Sequence, residues 1–370
     1  MHRHSFPIAL VLFTAICLTL ACASSPPPAD LWTVPPDPAA APAGSPVAIH
    51  GQLQVVGTQL LDQAGVPVQL KGVSPNCFVW ESQPFPESKP ALAYMRDNWK
   101  LWLIRASMGT DQAGGYLSNP TGMQTEVDEI VQHAIDLGVY VLVDWHTEVA
   151  VNQQDQAVAF FTAMATKYGA YPNVIWEPYN EPARPSPNAP LYTWAQIKPY
   201  HEAVVAAIRS VDPDNLIVLG TPNWSQYVDQ AAADPVAGTN LLYTLHFYSC
   251  THTQPFRDRG NTAIAAGIAL FVTEFGATYS DGGLVSANHD YVCEDEANLW
   301  FAWMAQNNIS GAAWKLDQCG DASCILGPNA PLDGPWPDNM LSTDVGGAVN
   351  SAGTGIQGGH GLFVVNWIRE

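Results

Sequence analysis

Short apolar runs alternate with longer amphipathic stretches along the chain from residue 51 onward. The longer stretches carry apolar residues at helical spacing, for example Val127, Ile130, Val131 and Ala134. The runs are predominantly apolar, with at most one charged residue each, which is typical of strands that are buried on both faces. There are eight of them, at residues 68–73, 101–106, 139–144, 174–179, 216–220, 241–247, 270–275 and 311–316.

Eight buried strands that alternate with helices over about 300 residues predict a closed parallel (β/α)8 barrel, a TIM barrel of the α/β class. An open doubly wound sheet is the alternative that the same pattern allows. The chain has 370 residues, 47% of them hydrophobic, which is enough for one large barrel core. We assign residues 48–370 to this barrel as a single catalytic domain.

Two of the apolar runs have a glutamate at or just beyond their C-terminal end. The fourth run is followed by Asn180 and Glu181, and the seventh ends on Glu274. Carboxylates are unfavourable inside an apolar core but suit the C-terminal rim of a barrel, where active sites lie. Glu181 and Glu274 are therefore the candidate catalytic pair. The other polar and aromatic residues at the strand ends are Asn76, Trp80, Arg105, Asp144, Trp145, His146, Asn223, Trp224, His246, Tyr248 and Trp314.

These side chains suit the cleavage of a glycosidic bond. One carboxylic acid can protonate the leaving oxygen while the other carboxylate attacks the anomeric carbon, and indole rings stack on the apolar faces of sugars. Glu177 shares a strand face with Glu181 but lies about 13 Å deeper in the barrel. We therefore expect Glu177 to be a structural, hydrogen-bonded carboxyl.

The N-terminus has the features of a secretory signal. Basic residues precede an apolar stretch at 8–20 that is too short to span a bilayer comfortably. Cleavage after Ala23 gives a secreted protein, whereas cleavage before Cys22 gives a lipoprotein anchored to the bacterial cell envelope. We assign residues 1–23 to the signal and the Pro- and Ala-rich residues 24–47 to an extended linker.

Charge and cysteine content narrow the range of partners. The formal charge of −20 repels nucleic acid and anionic membranes, so we expect a neutral substrate and no nucleic-acid partner. Export permits disulfides, and Cys319 with Cys324 closes a short loop that we expect to be bridged. Cys250 with Cys293 is a second candidate pair, which leaves Cys77 free. Because no paired CxxC spacing occurs, we expect no metal site.

Motifs at and between the strand ends follow one another in order over about residues 48–325. They are HGQL at 50–53, VQLKG at 68–72, IRA at 104–106, VDWH at 143–146, NEP at 180–182, IKPY at 197–200, DPDN at 212–215, WSQ at 224–226, YTLHFY at 243–248, VTE at 272–274 and Trp314. Together these motifs resemble glycoside hydrolase family 5 and, within it, the bacterial cellulase subfamily 2.

The resemblance implies a role for each rim residue. Glu181 is expected to be the general acid/base and Glu274 the nucleophile of a retaining mechanism. Arg105 is expected beside the nucleophile, with a core ion pair as the alternative, and core positions are the alternative for Trp80 and Trp224. The other implied roles are hydrogen bonding to the sugar or the carboxylates for Asn180, His146, His246 and Tyr248, sugar stacking for Trp314, Trp80 and Trp224, and substrate binding for Asn76, where the subfamily usually has His.

We therefore expect a secreted, monomeric endo-β-1,4-glucanase that cleaves β-glucan with retention and uses no metal or organic cofactor. Departures from the subfamily pattern at Gly109, Cys319 and Phe275 concern the outer sugar subsites. The same chemistry on mixed-linkage glucan, xylan or mannan is accordingly an alternative. A noncatalytic glycan-binding lipoprotein is an alternative from a different class. Residues 327–361 are expected to form long loops, with a last packed element at 363–367.

Overall fold

The computed structural model describes residues 41–280, 291–319, 321–343 and 359–370. The predicted signal at 1–23, the lipidation site at Cys22 and most of the linker lie outside these residues. The first described helix, α1 (Pro46–His50), is capped by the Ser45 side chain and buries Val47, so packing begins slightly before the predicted boundary at residue 48. In the part of the chain that is described, no helix is both long and apolar enough to cross a bilayer.

Eight parallel strands of the described chain form a closed barrel, and an antiparallel hairpin precedes them. The hairpin strands are β1 (Gln54–Val56) and β2 (Gln59–Leu61). The barrel strands are β3 (Lys71–Pro75), β4 (Leu103–Gly109), β5 (Tyr140–His146), β6 (Val174–Glu177), β7 (Ile217–Leu219), β8 (Leu241–Thr244), β10 (Ala269–Gly276) and β11 (Gly311–Leu316), with a short β9 (Phe247–Tyr248) beside the end of β10. Because β11 pairs with both β3 and β10, the ring is closed. The predicted TIM barrel is confirmed, and the open sheet is excluded.

Helices pack around the outside of this ring. They are α2 (Lys89–Tyr94), α3 (Pro120–Leu137), α4 (Gln154–Tyr168), α5 (Trp194–Arg209), the short turns α6 (Pro222–Ser225) and α7 (Val228–Ala232), α8 (Gln254–Ala265), α9 (Glu294–Gln306) and the C-terminal α10 (Gly361–Arg369). Local sequence sets the limits of α3. The Asn119 side chain caps its first turn, Pro120 occupies the position after the cap, and Gly138 ends it with a left-handed φ of 67°.

Side chains of the strands point alternately outward to the helices and inward to the barrel axis. In β4, Ile104 and Ala106 belong to the core between barrel and helices, whereas Leu103 belongs to an apolar cluster inside the barrel. The next inward position is Arg105, which bonds buried carboxyls. The lower half of the interior is thus apolar, and the upper half, near the carboxyl ends of the strands, is polar.

The sixth apolar run does not form one continuous strand as predicted from its length. The backbone N–H of His246 donates to the carbonyl oxygen of Ser225 at 2.8 Å instead of to a neighbouring strand. The run is therefore divided into β8 and β9. This break lies at the rim, where His246 and Tyr248 line the same opening.

The C-terminal helix α10 packs back on the barrel as expected. The Trp367 ring contacts Phe275 edge-on at 5.1 Å and stacks on Phe301 at 5.0 Å between ring centroids. The described residues from 327 to 343 are irregular except for a 3-10 turn at Asp338–Met340 and an isolated antiparallel bridge from Leu341 to Leu326, in agreement with the predicted loops. The remainder of the predicted loop region, at 344–358, lies outside the described residues.

Candidate active site

A cleft of about 480 Å³ opens at the carboxyl end of the barrel. This volume falls within the range of roughly 300–1,000 Å³ that is usual for ligand pockets. The cleft walls contain both candidate glutamates and most of the predicted rim residues. The lining residues are Trp80, Gln112, His146, Thr147, Glu148, Asn180, Glu181, Trp224, Gln226, His246, Tyr248, His252, Glu274, Ser280 and Trp314.

Glu181 and Glu274 come from different parts of the barrel and meet in this cleft. Glu181 lies in the loop that follows β6, and Glu274 lies within β10. An oxygen of Glu181 and an oxygen of Glu274 lie within 4.8 Å of each other. Carboxyl groups of retaining glycosidases are about 5–5.5 Å apart, whereas those of inverting glycosidases are roughly 6.5–9.5 Å apart. The observed separation falls in the shorter class.

Both oxygens of Glu274 accept hydrogen bonds. Nη1 of Arg105 donates to Oε2 at 2.9 Å, and the Tyr248 hydroxyl donates to Oε1 at 2.6 Å. Burial alone raises the pKa of Glu274, but the Arg105 guanidinium and the hydrogen bond from Tyr248 act against burial, and this pKa lies below its ordinary value. Burial lowers the pKa of His246 to about 3, so at neutral pH Arg105 is the permanent cation beside Glu274. Glu274 is therefore ionised.

The surroundings of Glu181 have the opposite effect. Oε1 of Glu181 lies 2.9 Å from Nδ1 of His246, and the carboxyl reaches the cleft with its side chain 19% exposed. Burial, together with repulsion from Glu274 and Glu148, raises the pKa of Glu181 well above its ordinary value. Glu181 is therefore the carboxyl of the pair that keeps its proton to the higher pH, which is what a general acid needs.

Arg105 is fully buried and joins the polar side chains below the cleft. Nε donates to Oε2 of Glu177 at 2.8 Å, and Nη2 donates to Oδ1 of Asn180 at 2.5 Å and lies 3.0 Å from Oδ2 of Asp144. A guanidinium only donates, so the amide oxygen of Asn180 faces Arg105 and its NH2 group faces away. Arg105 therefore fits both expectations from the sequence: it lies beside Glu274, and it also forms ion pairs with buried carboxyls.

Glu177 lies below the cleft and is not among the residues that line it. Its carboxyl is fully buried between Arg105 and Thr273, whose Oγ1 is 2.5 Å from Oε1 of Glu177. Burial, together with repulsion from Asp144, raises the pKa of Glu177 to about 8. The position agrees with the structural, hydrogen-bonded carboxyl expected from the sequence.

The predicted tryptophans all line the cleft. Trp314 stacks parallel on the ring of His146, with 5.5 Å between ring centroids, and Nδ1 of His146 lies 2.7 Å from Oδ2 of Asp144. Trp80 is 60% exposed, and Trp224 lies on the opening as well. Trp80 and Trp224 are therefore not core residues; the Arg184 guanidinium lies over the Trp224 ring, 5.3 Å from its centroid.

Asn76 lies behind the cleft rather than on it. Its NH2 group donates to the carbonyl oxygen of Trp80 at 3.1 Å and to Oδ2 of Asp317 at 3.0 Å, and its amide oxygen accepts from the N–H of Cys77. Both amide hydrogens are thus engaged within the protein. This corrects the expectation of direct substrate binding, and the contacts of Asn76 hold the segment that carries Trp80.

Two disulfides are present in the described chain. Cys319 is bonded to Cys324 in the loop after β11, and Cys250 is bonded to Cys293. Cys77 is buried and unpaired. These are the pairings expected from the sequence, and the first of them closes the loop that follows the Trp314 strand.

Some lining residues were not anticipated from the sequence. They are Gln112, Thr147, Glu148, Gln226, His252 and Ser280. Thr147 and Glu148 directly follow the VDWH motif at 143–146, so their position alone could have indicated them. Gln226 belongs to the WSQ motif, whereas Gln112, His252 and Ser280 lie in connecting segments without a local motif, and only the folded chain brings them to the opening.

Two groups of side chains in the described chain bring three metal-ligand atoms close together. The first is Glu181, His246 and Glu274, in which both ring nitrogens of His246 are already hydrogen-bonded, Nδ1 to Glu181 and Nε2 to Thr273. The second group contains Cys319 and Cys324, whose sulfurs are joined to each other. Neither group offers three uncommitted ligands.

A closed (β/α)8 barrel with two glutamates and exposed tryptophans at its carboxyl rim defines a glycoside hydrolase of the two-carboxylate class. The cellulase family, glycosyl hydrolase family 5, matches residues 61–320. The chain belongs to this family.

Curated relatives support the assignment over a longer span. The chain is 42% identical over 297 residues to an endoglucanase from Clostridium saccharobutylicum, a match that covers 79% of this chain and 63% of that protein. It is 37% identical over 339 residues to endoglucanase Z from Dickeya dadantii, with 90% of this chain and 69% of that protein covered. The chain thus spans about two thirds of the length of these relatives.

Solved structures share the fold. A Cytophaga hutchinsonii structure has a TM-score of 0.76 and 35% identity, covering 88% of this chain and 96% of that chain. The catalytic domain of Thermobifida fusca endoglucanase Cel5A has a TM-score of 0.75 and 29% identity, covering 88% of this chain and all 100% of that chain. A variant of the Thermobifida domain has been solved in complex with cellotetraose.

Proposed function

We propose that this protein is an endo-β-1,4-glucanase that hydrolyses internal bonds of β-glucan with retention of anomeric configuration. The observation that carries the proposal is the pair of glutamates with oxygens within 4.8 Å, whose surroundings lower the pKa of Glu274 and raise that of Glu181. The relatives named as endoglucanases, and the cellotetraose bound to the Thermobifida domain, support a β-1,4-linked glucose chain as substrate.

In the first step Glu274 attacks the anomeric carbon and Glu181 gives its proton to the departing glycosidic oxygen. The bond from carbon to the leaving sugar breaks as the bond to the Glu274 carboxylate forms. Arg105 and Tyr248 hold the carboxylate in place and ionised until it attacks. Asn180, whose NH2 group faces away from Arg105, is placed to donate to the sugar 2-hydroxyl, a bond that strengthens in the transition state.

In the second step the roles of proton donor and acceptor are exchanged. Glu181, now a carboxylate, takes a proton from a water molecule, which attacks the anomeric carbon and releases Glu274. Two displacements on the same carbon return the original configuration. Trp80, Trp224 and Trp314 line the cleft, where their rings can stack on neighbouring sugar units.

Reducing-sugar release from carboxymethylcellulose, barley β-glucan, xylan and mannan tests the substrate class. We expect release from the two β-glucans and little from xylan or mannan, and a Glu274→Ala preparation serves as the control for contaminating hydrolases. NMR of the first product formed from cellotetraose tests retention, since the new reducing end must appear as the β-anomer. Preferential release from xylan or mannan, or an α-anomer, would contradict the proposal.

The same proposal places the enzyme outside the cytoplasm. The two disulfides support an oxidising compartment, and the apolar stretch at 8–20 supports a secretory signal. Intact mass of the mature protein separates the two routes of processing. We expect a mature chain that begins after Ala23. A mass that includes acyl chains on Cys22 would show instead that the protein is a lipid-anchored lipoprotein.

A further inference from the structure

A line of hydrogen bonds runs behind the cleft from Glu181 to Glu177. Oε1 of Glu181 lies 2.9 Å from Nδ1 of His246, Nε2 of His246 lies 2.8 Å from Oγ1 of Thr273, and Oγ1 of Thr273 lies 2.5 Å from Oε1 of Glu177. His246, Thr273 and Glu177 are at most 1% exposed. The mechanism uses Glu181 at one end of this line and leaves the other end unexplained.

The hydrogen bonds of this line can all form with either of two orders of donors and acceptors. If Glu177 is protonated, its O–H donates to Thr273, the Thr273 hydroxyl donates to Nε2 of His246, and Nδ1–H of His246 donates to Glu181. If Glu177 is ionised, Thr273 donates to it and accepts from Nε2–H of His246, whose bare Nδ1 then faces Glu181. Thr244, with its hydroxyl 2.7 Å from Oγ1 of Thr273, can donate in both cases, so every group is paired either way.

The proton on Glu177 decides the direction. Arg105 contacts Asp144, Glu177 and Glu274, all of them buried, so one guanidinium faces three carboxyls. Asp144 has His146 as a second partner, and Arg105 and Tyr248 both donate to Glu274, so Glu177 is the carboxyl of the three to which we assign the proton. The pKa of Glu177, raised by burial to about 8, agrees with this assignment.

Other charged groups also face the line. Those that influence Glu177, His246 or Glu181 from the surrounding elements are Arg105, Asp144, His146, Glu148, His252 and Glu274. Burial lowers the pKa of His246 to about 3, so above mildly acidic pH the imidazole stays neutral and has a single N–H. Its tautomer is therefore the variable that the line controls.

We propose that Glu177 and Thr273 are positioning residues that set the tautomer of His246 and, through it, the hydrogen bond that Glu181 receives. With Glu177 protonated, Nδ1–H of His246 donates to Oε1 of Glu181, which leaves Oε2 to give a proton to the leaving group and later to take one from water. The inference rests on the proposed function for the role of Glu181, but the hydrogen-bond order itself does not depend on a substrate.

Ionisation reverses the line with its protons balanced. One proton leaves Glu181 for the cleft, the Nδ1 proton of His246 moves to Oε1 of Glu181, the Thr273 proton moves to Nε2, and the Glu177 proton moves to Thr273. The negative charge then lies on Glu177. Glu181 keeps a proton, but that proton is bonded to His246 and faces away from a substrate.

Nitrogen-15 NMR of the histidine rings tests this order, because the protonated and bare ring nitrogens have distinct shifts. In the wild type, we expect His246 to carry Nδ1–H at pH 6 and to change to Nε2–H as the pH rises through about 8. A His246→Asn spectrum assigns the signals. Glu177→Gln, whose amide N–H donates to Thr273 at every pH, should keep Nδ1–H throughout.

Matched variants at position 273 separate the hydroxyl from the shape of the side chain. Thr273→Ser keeps the hydroxyl and should change tautomer as the wild type does, whereas Thr273→Val should show no change tied to Glu177. A wild-type tautomer that is constant with pH, or the same change in Glu177→Gln, would overturn the inference. If Thr273→Val fails to fold, Glu177→Gln still decides it.

Activity failures and tautomer failures can be told apart. The NMR measurement uses the free enzyme, so a pH-dependent tautomer in a protein that releases no sugar from any glycan supports the hydrogen-bond order and rejects the proposed function. Glucan hydrolysis by an enzyme whose His246 tautomer is constant with pH supports the proposed function and rejects the hydrogen-bond order.

Discussion

Glu181 and Glu274 lie in one cleft with oxygens within 4.8 Å, yet their surroundings differ in the groups that donate to them. Glu274 receives hydrogen bonds from the Arg105 guanidinium and the Tyr248 hydroxyl. Glu181 has a neutral imidazole as its partner and two carboxylates, Glu274 and Glu148, as neighbours. Burial raises the pKa of both groups, so burial cannot be what separates them.

The difference is therefore made by fixed donors. A permanent cation and a phenol that stays protonated keep Glu274 ionised in a buried place, and burial together with Glu274 raises the pKa of Tyr248 far above its ordinary value. Once Glu274 is ionised, its own charge helps to keep Glu181 protonated. The pair thus works as one unit, in which stabilising the anion of the nucleophile also prepares the acid.

The largest effect is expected from removing the nucleophile. Glu274→Ala leaves no carboxylate to form the covalent intermediate, so activity should fall on the order of 10⁴-fold or more for every leaving group. The measurement is kcat/KM on cellotetraose and on an aryl β-cellobioside. Retained binding of cellotetraose by calorimetry shows that the variant is folded. A loss confined to poor leaving groups would assign this position to the acid instead.

Removing the acid should have a smaller and more selective effect. Glu181→Ala is expected to lose about 10²–10⁴-fold on cellotetraose and much less in the first step on aryl glycosides, whose leaving groups need little protonation. The covalent intermediate should then accumulate for want of a base. Added azide needs no base and should restore turnover with a β-glycosyl azide as product. A β-azide from Glu274→Ala and an α-azide from Glu181→Ala would reverse the two roles.

One of the donors that make the pKa values of Glu274 and Glu181 differ, the Tyr248 hydroxyl, can be removed without changing either carboxyl. Tyr248→Phe deletes the bond to Oε1 of Glu274, so kcat/KM should fall by about 10–100-fold. That bond lowers the pKa of Glu274, so its loss raises the pKa and moves the acid limb of the pH profile to higher pH. Tyr140→Phe, whose hydroxyl donates to Gly51 at the other end of the barrel, is the matched control. An unchanged acid limb would remove Tyr248 from this role.

Much of this site could be predicted because the local pattern of apolar and polar residues indicates where each strand lies and where it ends. The apolar runs predicted the eight strands, and a parallel barrel gathers their carboxyl ends at one rim, so Glu181 and Glu274 were brought together by topology alone. The break between β8 and β9 was missed, because it depends on a bond from His246 to the distant carbonyl of Ser225.

The hydrogen-bond partners of each polar side chain could not be predicted from the sequence. Asn76 follows a strand end, as the other predicted site residues do. Its NH2 group, however, donates to Asp317 and to the carbonyl oxygen of Trp80. Thr273 is an ordinary strand residue in sequence, and only the inward side of β10 makes it the link between His246 and Glu177. Such contacts join residues far apart in the chain and leave no local pattern.

A second, half-buried pair of glutamates shows that a raised pKa alone does not mark a site. Glu81 and Glu87 do not line the cleft, and both oxygens of Glu87 and one of Glu81 are buried without a hydrogen-bond partner in the described chain. Burial, with repulsion from Glu87, raises the pKa of Glu81 to about 10, and burial raises that of Glu87 to about 8. Unlike Glu181, these groups face no nucleophile.

The smallest effect is therefore expected from neutralising Glu87, and it should appear in stability. Its folded-state pKa lies above the ordinary 4.5, so the folded state gains from the proton below that value and loses stability as pH rises toward 8. Glu87→Gln stays neutral, and its free energy of unfolding should exceed that of the wild type by about 1–3 kcal/mol at pH 9, with little difference at pH 4.5. Urea unfolding at both pH values measures this, and Glu202→Gln, with its side chain 51% exposed on α5, is the control. A difference that does not grow with pH would mean that Glu87 is ionised and paired when folded.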